Sequence, residues 1–275
     1  MREPSAEEDS LENAPSLTPD QAIANLRSPD LGLRYYAAWW LGKFRVQLPD
    51  AVEALIAALE DEADKTELGG YPLRRNAARA LGKLGNMKAV PGLIQCLECS
   101  DFYVREAAAQ SLEMLQARSA KPALMQLLDG GVAAGVQVPG RPHLTQPYEA
   151  VIEALGAIGA TEAIPHIQPF LEHPVPRVQF ATARAMYQLT HNPVYGEYLV
   201  KKLDSSDLKL RRVVLSDLGA IGYLAAAKAI ARAAVENSFK LIALKGLLEN
   251  QLSMELDESL SDDAIKVINL MDSLL

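Results

Sequence analysis

Six times along the chain an Arg, or a residue standing in for one, is followed by small residues and then, seven positions later, by an apolar residue and often Gly. The stretches are Arg34 through Leu41-Gly42, Arg74 through Leu81-Gly82, Arg105 through Leu112, Tyr148 through Leu155-Gly156, Gln179 through Met186, and Arg211 through Leu218-Gly219. The apolar positions lie 40, 31, 43, 31 and 32 residues apart. A unit of about 31 residues has room for one helical hairpin, and fixed-period self-similarity predicts a stacked array, an α-solenoid or alpha-alpha superhelix of about six hairpins. Two units carry insertions, 61–70 and 130–147.

The rest of the sequence agrees with an all-α reading. Apolar residues recur at i, i+3, i+4 and i+7, and alternating strand-like runs are absent. Such an array shares one continuous core, so its 275 residues need not divide into globular domains. No apolar stretch approaches the roughly 18 residues that span a bilayer, and the acidic start has no signal-peptide pattern, so a cytoplasmic protein is expected. A net charge of −8 argues against nucleic acid as the main partner, since phosphate binding needs a concentrated basic surface.

Three segments are expected. Residues 1–20 form an acidic flexible tail, 21–250 the repeat domain, and 251–275 a C-terminal helix that caps the last repeat or docks a partner. Thr18-Pro19-Asp20 starts the first helix, with Thr18 as N-cap. The insertion at 130–147 is rich in Gly and Pro and contains His143; long irregular loops in a repeat array carry function or are disordered.

The candidate chemistry is sparse. Cys96 and Cys99 form a single Cys-x-x-Cys without a second pair or nearby histidines, a poor zinc site, and read as ordinary thiols; no metal is expected. Asp30, Asp101 and Asp207 each precede a repeat Arg by four residues, a spacing that predicts a helix cap paired with Arg34, Arg105 or Arg211 one turn later. Arg74 has Gly70 in place of that Asp, and with Arg75 and Arg79 it forms a guanidinium cluster suited to bidentate carboxylate binding. In the first repeat, a core stripe of Ala37, Leu41 and Phe44 turns Tyr35 and Trp39 away from the core. Two readings fit these aromatics: packing beneath another helix or subunit, or stacking against a flat ligand or a protein client.

At these residues the chain resembles the E-type (alpha) subunits of the heterodimeric E/F-type phycobilin lyases of cyanobacteria, which carry HEAT-like repeats. The matching stretches are 34–44 (Arg-Tyr-Tyr-Ala-Ala-Trp-Trp-Leu-Gly-Lys-Phe), 69–82 (Gly-Gly-Tyr-Pro-Leu-Arg-Arg-Asn-Ala-Ala-Arg-Ala-Leu-Gly), 103–112, 146–159 and 236–246. A Leu-Gly repeat is common to many HEAT-like arrays, whereas the Tyr-Tyr-Ala-Ala-Trp-Trp and Gly-Gly-Tyr-Pro-Leu-Arg-Arg-Asn segments are specific.

The resemblance implies a lyase subunit that works with an F-type partner. Together they join phycocyanobilin, as substrate and not as resident cofactor, through a thioether to a cysteine of the apo-alpha subunit of C-phycocyanin. It also implies roles: Arg74, Arg75 and Arg79 for the bilin propionates, Tyr35, Trp39 and Tyr148 for stacking, and Glu106, Glu149 or Asp217 for the pyrrole nitrogens. His143 is a candidate proton donor, or else a solvated loop histidine. The residues themselves show no nucleophile beside a base, which suits a reaction whose nucleophile belongs to the client. Alternatives are the isomerising lyase subunit for phycoerythrocyanin and a non-catalytic HEAT-like scaffold or bilin carrier.

Overall fold

The structure, a computed structural model, describes residues 17–254 and 260–275. The expected tail therefore lies outside the described residues up to Ser16. Thr18 caps the first helix as predicted, and Gln21 returns the bond to the Thr18 amide, closing a capping box.

Helices pair along the chain: α1 (Pro19–Asn25) with α2 (Leu31–Lys43), α3 (Pro49–Ala58) with α4 (Pro72–Leu84), and α5 (Val90–Cys96) with α6 (Phe102–Met114). Then come α7 (Lys121–Gln126), a short α8 (Gly131–Ala134) inside the second insertion, and α9 (Tyr148–Ala157), the partner of α7. The remaining pairs are α10 (Ile164–Ile167) with α11 (Pro176–Thr190), α12 (Pro193–Lys202) with α13 (Leu208–Ile221), and α14 (Ala227–Arg232) with α15 (Asn237–Met254); α16 (Asp262–Asp272) packs on the last pair. Among the described residues there are thus seven pairs where the sequence pattern showed about six. The seventh motif, Asn237 to Leu244, escaped notice because Asn replaces the Arg and Lys245 replaces the Gly. Among the described residues no helix is long and apolar enough to cross a membrane.

The second helices of successive pairs pack on one another in an unbroken row, more closely than the shorter first helices do. The closer row is the inner side of the curved stack. The motif glycine explains this closeness. A Cβ on Gly42 would fall 2.8 Å from the Cα of Ala80, one on Gly156 2.6 Å from the Cα of Ala185, and one on Gly82 2.5 Å from the Ser111 hydroxyl. The small residue that receives each glycine stands immediately before the motif's apolar residue. Leu41, Leu81, Leu112, Leu155 and Leu218 are fully buried, each contributing about 1.5–3 kcal/mol of transfer free energy.

The repeat Arg does something other than expected. Asp30, Asp101 and Asp207 do cap their helices. The arginines, however, reach past them to carbonyls at the end of the preceding first helix. Arg34 Nε donates to the Leu26 carbonyl at 3.0 Å, Arg105 to that of Cys99 at 2.6 Å, and Arg211 to that of Ser205 at 2.5 Å. Gln179, the stand-in, donates to the His173 carbonyl at 2.7 Å in the same way. Each side chain thereby satisfies helix-end carbonyls that have no partner within their own helix. The free oxygen of Asp101 is taken by the Tyr71 amide at 2.8 Å, which ties α6 to the start of α4.

Candidate functional site

The exposed face of the second-helix row presents three stretches in succession. The first is aromatic. Tyr35 and Trp39 are 39% and 41% exposed, Tyr36 lies 5.4 Å from the Trp39 ring, and Lys43 Nζ sits 4.8 Å above that ring. Leu31, Leu33 and Phe44 are exposed on the same helix. This helix therefore spends its large apolar side chains outward, leaving the close contact with α4 to Ala37, Ala38 and Gly42.

The second stretch is basic and aromatic. Of the three arginines expected to act together, only two remain on this face. Arg74 is a member of the carbonyl ladder: its Nε donates to the Asp61 carbonyl at 2.7 Å, it pairs with Glu62, and it lies 4.2 Å over the Tyr71 ring. Gly70 does not leave it unneutralised, because the acids come from the insertion. Arg75 is different. Its guanidinium stands 5.8 Å from the Tyr103 ring, and its buried Nε has no acceptor. Arg79 reaches Glu106 at 3.8 Å, and burial raises the Glu106 carboxyl against the pull of Arg79.

Arg75 opens into a cavity of about 470 Å³ walled by both insertions. His143 is part of that wall and not a solvated loop residue: it stacks on Phe102 at 4.3 Å and meets Tyr103 edge-on at 5.6 Å. Larger hollows exist near Arg118 and His166 (about 670 Å³) and between α14 and α16 (about 820 Å³), but neither is lined by a Tyr, Phe or Trp.

The third stretch is a charge cluster around Arg184. Glu113 on α6 accepts from Arg184 at 2.7 Å, Glu153 on α9 lies at 3.5 Å, and Asp217 on α13 at 3.7 Å. One guanidinium faces three carboxylates. Burial accordingly pushes Glu153 up to about 8 and Asp217 up to about 7, against the attraction of Arg184. Asp217, expected to meet a ligand, is 3% exposed and is held within this cluster, with Oδ2 lacking a hydrogen-bond partner. Glu149 pairs with Arg177 at 2.6 Å at the cluster's edge.

Tyr148 corrects another expectation. It is 1% exposed, packed 5.1 Å from Phe170 beneath the second insertion, and so is a core residue unable to stack on a ligand at the surface. The Arg position it occupies points toward the adjoining loop at Arg34, Arg74, Arg105, Gln179 and Arg211 as well. Glu113, Glu153, Arg184 and Arg141 were not anticipated. The first three had a signal: Glu113 and Arg184 lie two turns beyond Glu106 and Arg177, and Glu153 one turn beyond Glu149, on the same helix faces. Arg141 had none, since its role depends on the meeting of two loops 73 positions apart.

The sequence matches two family models, one described as HEAT repeats over residues 71–137 and one as PBS lyase HEAT-like repeat over 33–61 and 147–173. It is 77% identical to the phycocyanobilin lyase subunit alpha of Nostoc sp. PCC 7120 along the whole of both chains. Identity to the protein of that name from Microchaete diplosiphon is 61%, covering 98% of this chain and 95% of the relative. The bilin biosynthesis protein PecE of Mastigocladus laminosus is 48% identical, over 86% of this chain and 84% of its own. Among solved structures, the complex of CpcE and CpcF of phycocyanin lyase from Nostoc sp. PCC 7120 contains a chain that superposes with a TM-score of 0.90 at 76% identity, covering 99% of this chain and all of that one.

Proposed function

The chain belongs to the family of phycocyanobilin lyase alpha subunits, and we propose that it joins phycocyanobilin through a thioether bond to a cysteine of the alpha subunit of C-phycocyanin, as one half of a heterodimer with an F-type subunit. The observation that carries this reading is the 77% identity along both full lengths with such a subunit, against 48% for PecE.

The inner face suits a subunit that holds and orients rather than attacks. Its exposed side chains include aromatic, basic and carboxylic groups, and the thiol that forms the new bond comes from the client. Addition of that thiol across the ethylidene double bond of the bilin forms one C–S bond and delivers one proton to the neighbouring ring carbon. Trp39 and Tyr35 would cover rings, Arg75 and Arg79 would pair with propionates, and Glu106 would face pyrrole N–H groups. Holding the two reactants in register is itself a large source of rate. Phycocyanobilin acts as substrate in this scheme, with no resident cofactor. The cytoplasm is the proposed compartment, and the two free cysteines, Cys96 and Cys99, fit a reducing one.

Reconstitution tests the reading. The chain, its F-type partner, phycocyanobilin and apo-alpha-phycocyanin should yield a chromophore that stays on the client under denaturing conditions, and neither subunit alone should match the mixture. A product with the absorption of an isomerised bilin would assign the chain to the PecE-like activity, and bilin binding without covalent transfer would leave a carrier.

A further inference from the structure

We propose that the cavity walled by the two insertions is the seat of one propionate-bearing pyrrole of the bilin, with Arg75 and Arg141 as its carboxylate partners and the stacked His143 and Phe102 as its flat wall; this rests on the lyase reading above.

The cavity exists because two units of the repeat are longer than the rest. The first insertion is held by a turn in which the Gly70 amide donates to the Thr66 hydroxyl at 2.8 Å and the Thr66 amide to the Gly70 carbonyl at 2.9 Å. The second folds back on itself, with the Val138 amide donating to the His143 carbonyl at 3.0 Å, and is anchored from below by the buried His173, whose Nε2 lies 3.0 Å from the Gly135 carbonyl. Arg141 then reaches across to the Leu68 carbonyl at 3.2 Å and joins the two loops. A loop pair with this much bonding is a constructed wall.

The charge inside is unbalanced. Among the described residues three arginines line the cavity, with Asp101 as the sole carboxylate. Both oxygens of Asp101 are occupied by the backbone amides of Tyr71 and Tyr103, each at 2.8 Å. Arg105 is consumed by the Cys99 and Thr145 carbonyls and by Gln146. Arg75, which makes no hydrogen bond or ion pair among the described residues, and Arg141, held to the loop by one nitrogen, have Nη donors left for an anion. A guanidinium short of acceptors in a partly desolvated cavity selects a carboxylate, which it can bind through two parallel hydrogen bonds.

The wall selects a flat partner. The His143 and Phe102 rings are within 12° of parallel at 4.3 Å, with Tyr103 edge-on to both. A volume of about 470 Å³ is at the small end of ligand cavities, enough for part of a four-ring molecule. Arg75 and Arg79 lie one turn apart on α4, so a bilin seated here continues along the inner face toward Glu106.

The test compares phycocyanobilin with its dimethyl ester, titrated by fluorescence quenching into the complex with the F-type partner. The wild-type complex should prefer the free acid by about tenfold or more, the scale of a charged hydrogen-bonded pair. In Arg75→Met and in Arg141→Met that preference should fall by about threefold or more, while ester affinity stays within about twofold, which also shows the variants are folded. His143→Ala should weaken acid and ester equally. A preference retained in both arginine variants, or equal binding of acid and ester by the wild type, overturns the proposal. A wild-type complex that binds and transfers neither form defeats the lyase reading itself.

Discussion

Two clusters on the same inner face, one around Arg184 and one around Arg75, use arginine in opposite ways. Arg184 is surrounded by Glu113, Glu153 and Asp217 from three neighbouring helices and has more carboxylates than it can neutralise. Arg75 lies against an aromatic ring with too few acceptors. The first cluster knits α6, α9, α11 and α13 together through ion pairs, whereas Arg75 makes no ion pair among the described residues. On the proposed reading, stability and ligand recognition are separated along the stack, and substitutions should separate them too.

The largest expected effect is at Arg184. Arg184→Met keeps most of the volume but leaves three carboxyl groups facing one another without their shared donor, and removing one partner of a buried charge group costs roughly 3–5 kcal/mol. For a chain of this size that corresponds to a melting temperature lower by about 10 °C. Arg75→Met should cost about 1 kcal/mol or less. If thermal unfolding found equal losses for the two, the distinction between a structural and a receptive arginine would collapse.

Next in size is the close helix contact beside the Arg184 cluster. Gly156→Ala places a methyl 2.6 Å from the Cα of Ala185 and should cost about 1–3 kcal/mol through forced separation of α9 and α11. Since Glu153 and Arg184 span the same two helices, the 3.5 Å separation of that pair should widen as well. An unchanged melting temperature would mean that the row of second helices tolerates more separation than its backbone contacts imply.

The pH response should come mainly from the Arg184 cluster. Glu153 and Asp217 have folded-state values raised to about 8 and about 7, well above those of free carboxyls. The unfolded chain releases these two protons near pH 4 while the folded chain keeps them, so the stabilisation is complete below that point and is lost as pH rises through the folded values. Melting temperature should fall as pH rises from 5.5 to 8.5. The Glu153→Gln, Asp217→Asn double variant should flatten that slope. A slope that survives the double substitution would move the responsible groups elsewhere.

Most of the fold was legible because a repeat writes the same packing problem several times. Leu41, Leu81 and Leu155 with the glycine that follows them expose both the buried position and the backbone contact, and Asp30, Asp101 and Asp207 announce helix starts. What single positions could not reveal was direction across the stack. The Asp and Arg four residues apart looked like a local pair, yet the Arg bonds carbonyls of the preceding helix end. Tyr148 looked like a surface aromatic because its position aligns with Arg, yet that position points into the loop, and there the second insertion covers it. The Arg75 cavity was invisible for the same reason: Arg141 and Leu68 become neighbours only when two insertions fold over one edge.

The smallest expected change concerns the exposed aromatic stretch that precedes the Arg75 cavity. Trp39 contributes little to the core, since Ala37, Ala38, Leu41 and Gly42 fill the buried face of α2. Trp39→Ala should therefore leave stability within about 1 kcal/mol of wild type, and Lys43 would lose a cation–π contact of similar or smaller worth. Its effect should appear in chromophore transfer, lowered by about three- to tenfold if the indole covers part of the bilin, which corresponds to about 1 kcal/mol of binding. Glu53→Ala, an exposed change on α3 of the outer row, serves as the matched control with transfer unchanged. Equal transfer by the two variants, with partner affinity also equal, would confine recognition to the charged cavity and leave the aromatic stretch without a part in it.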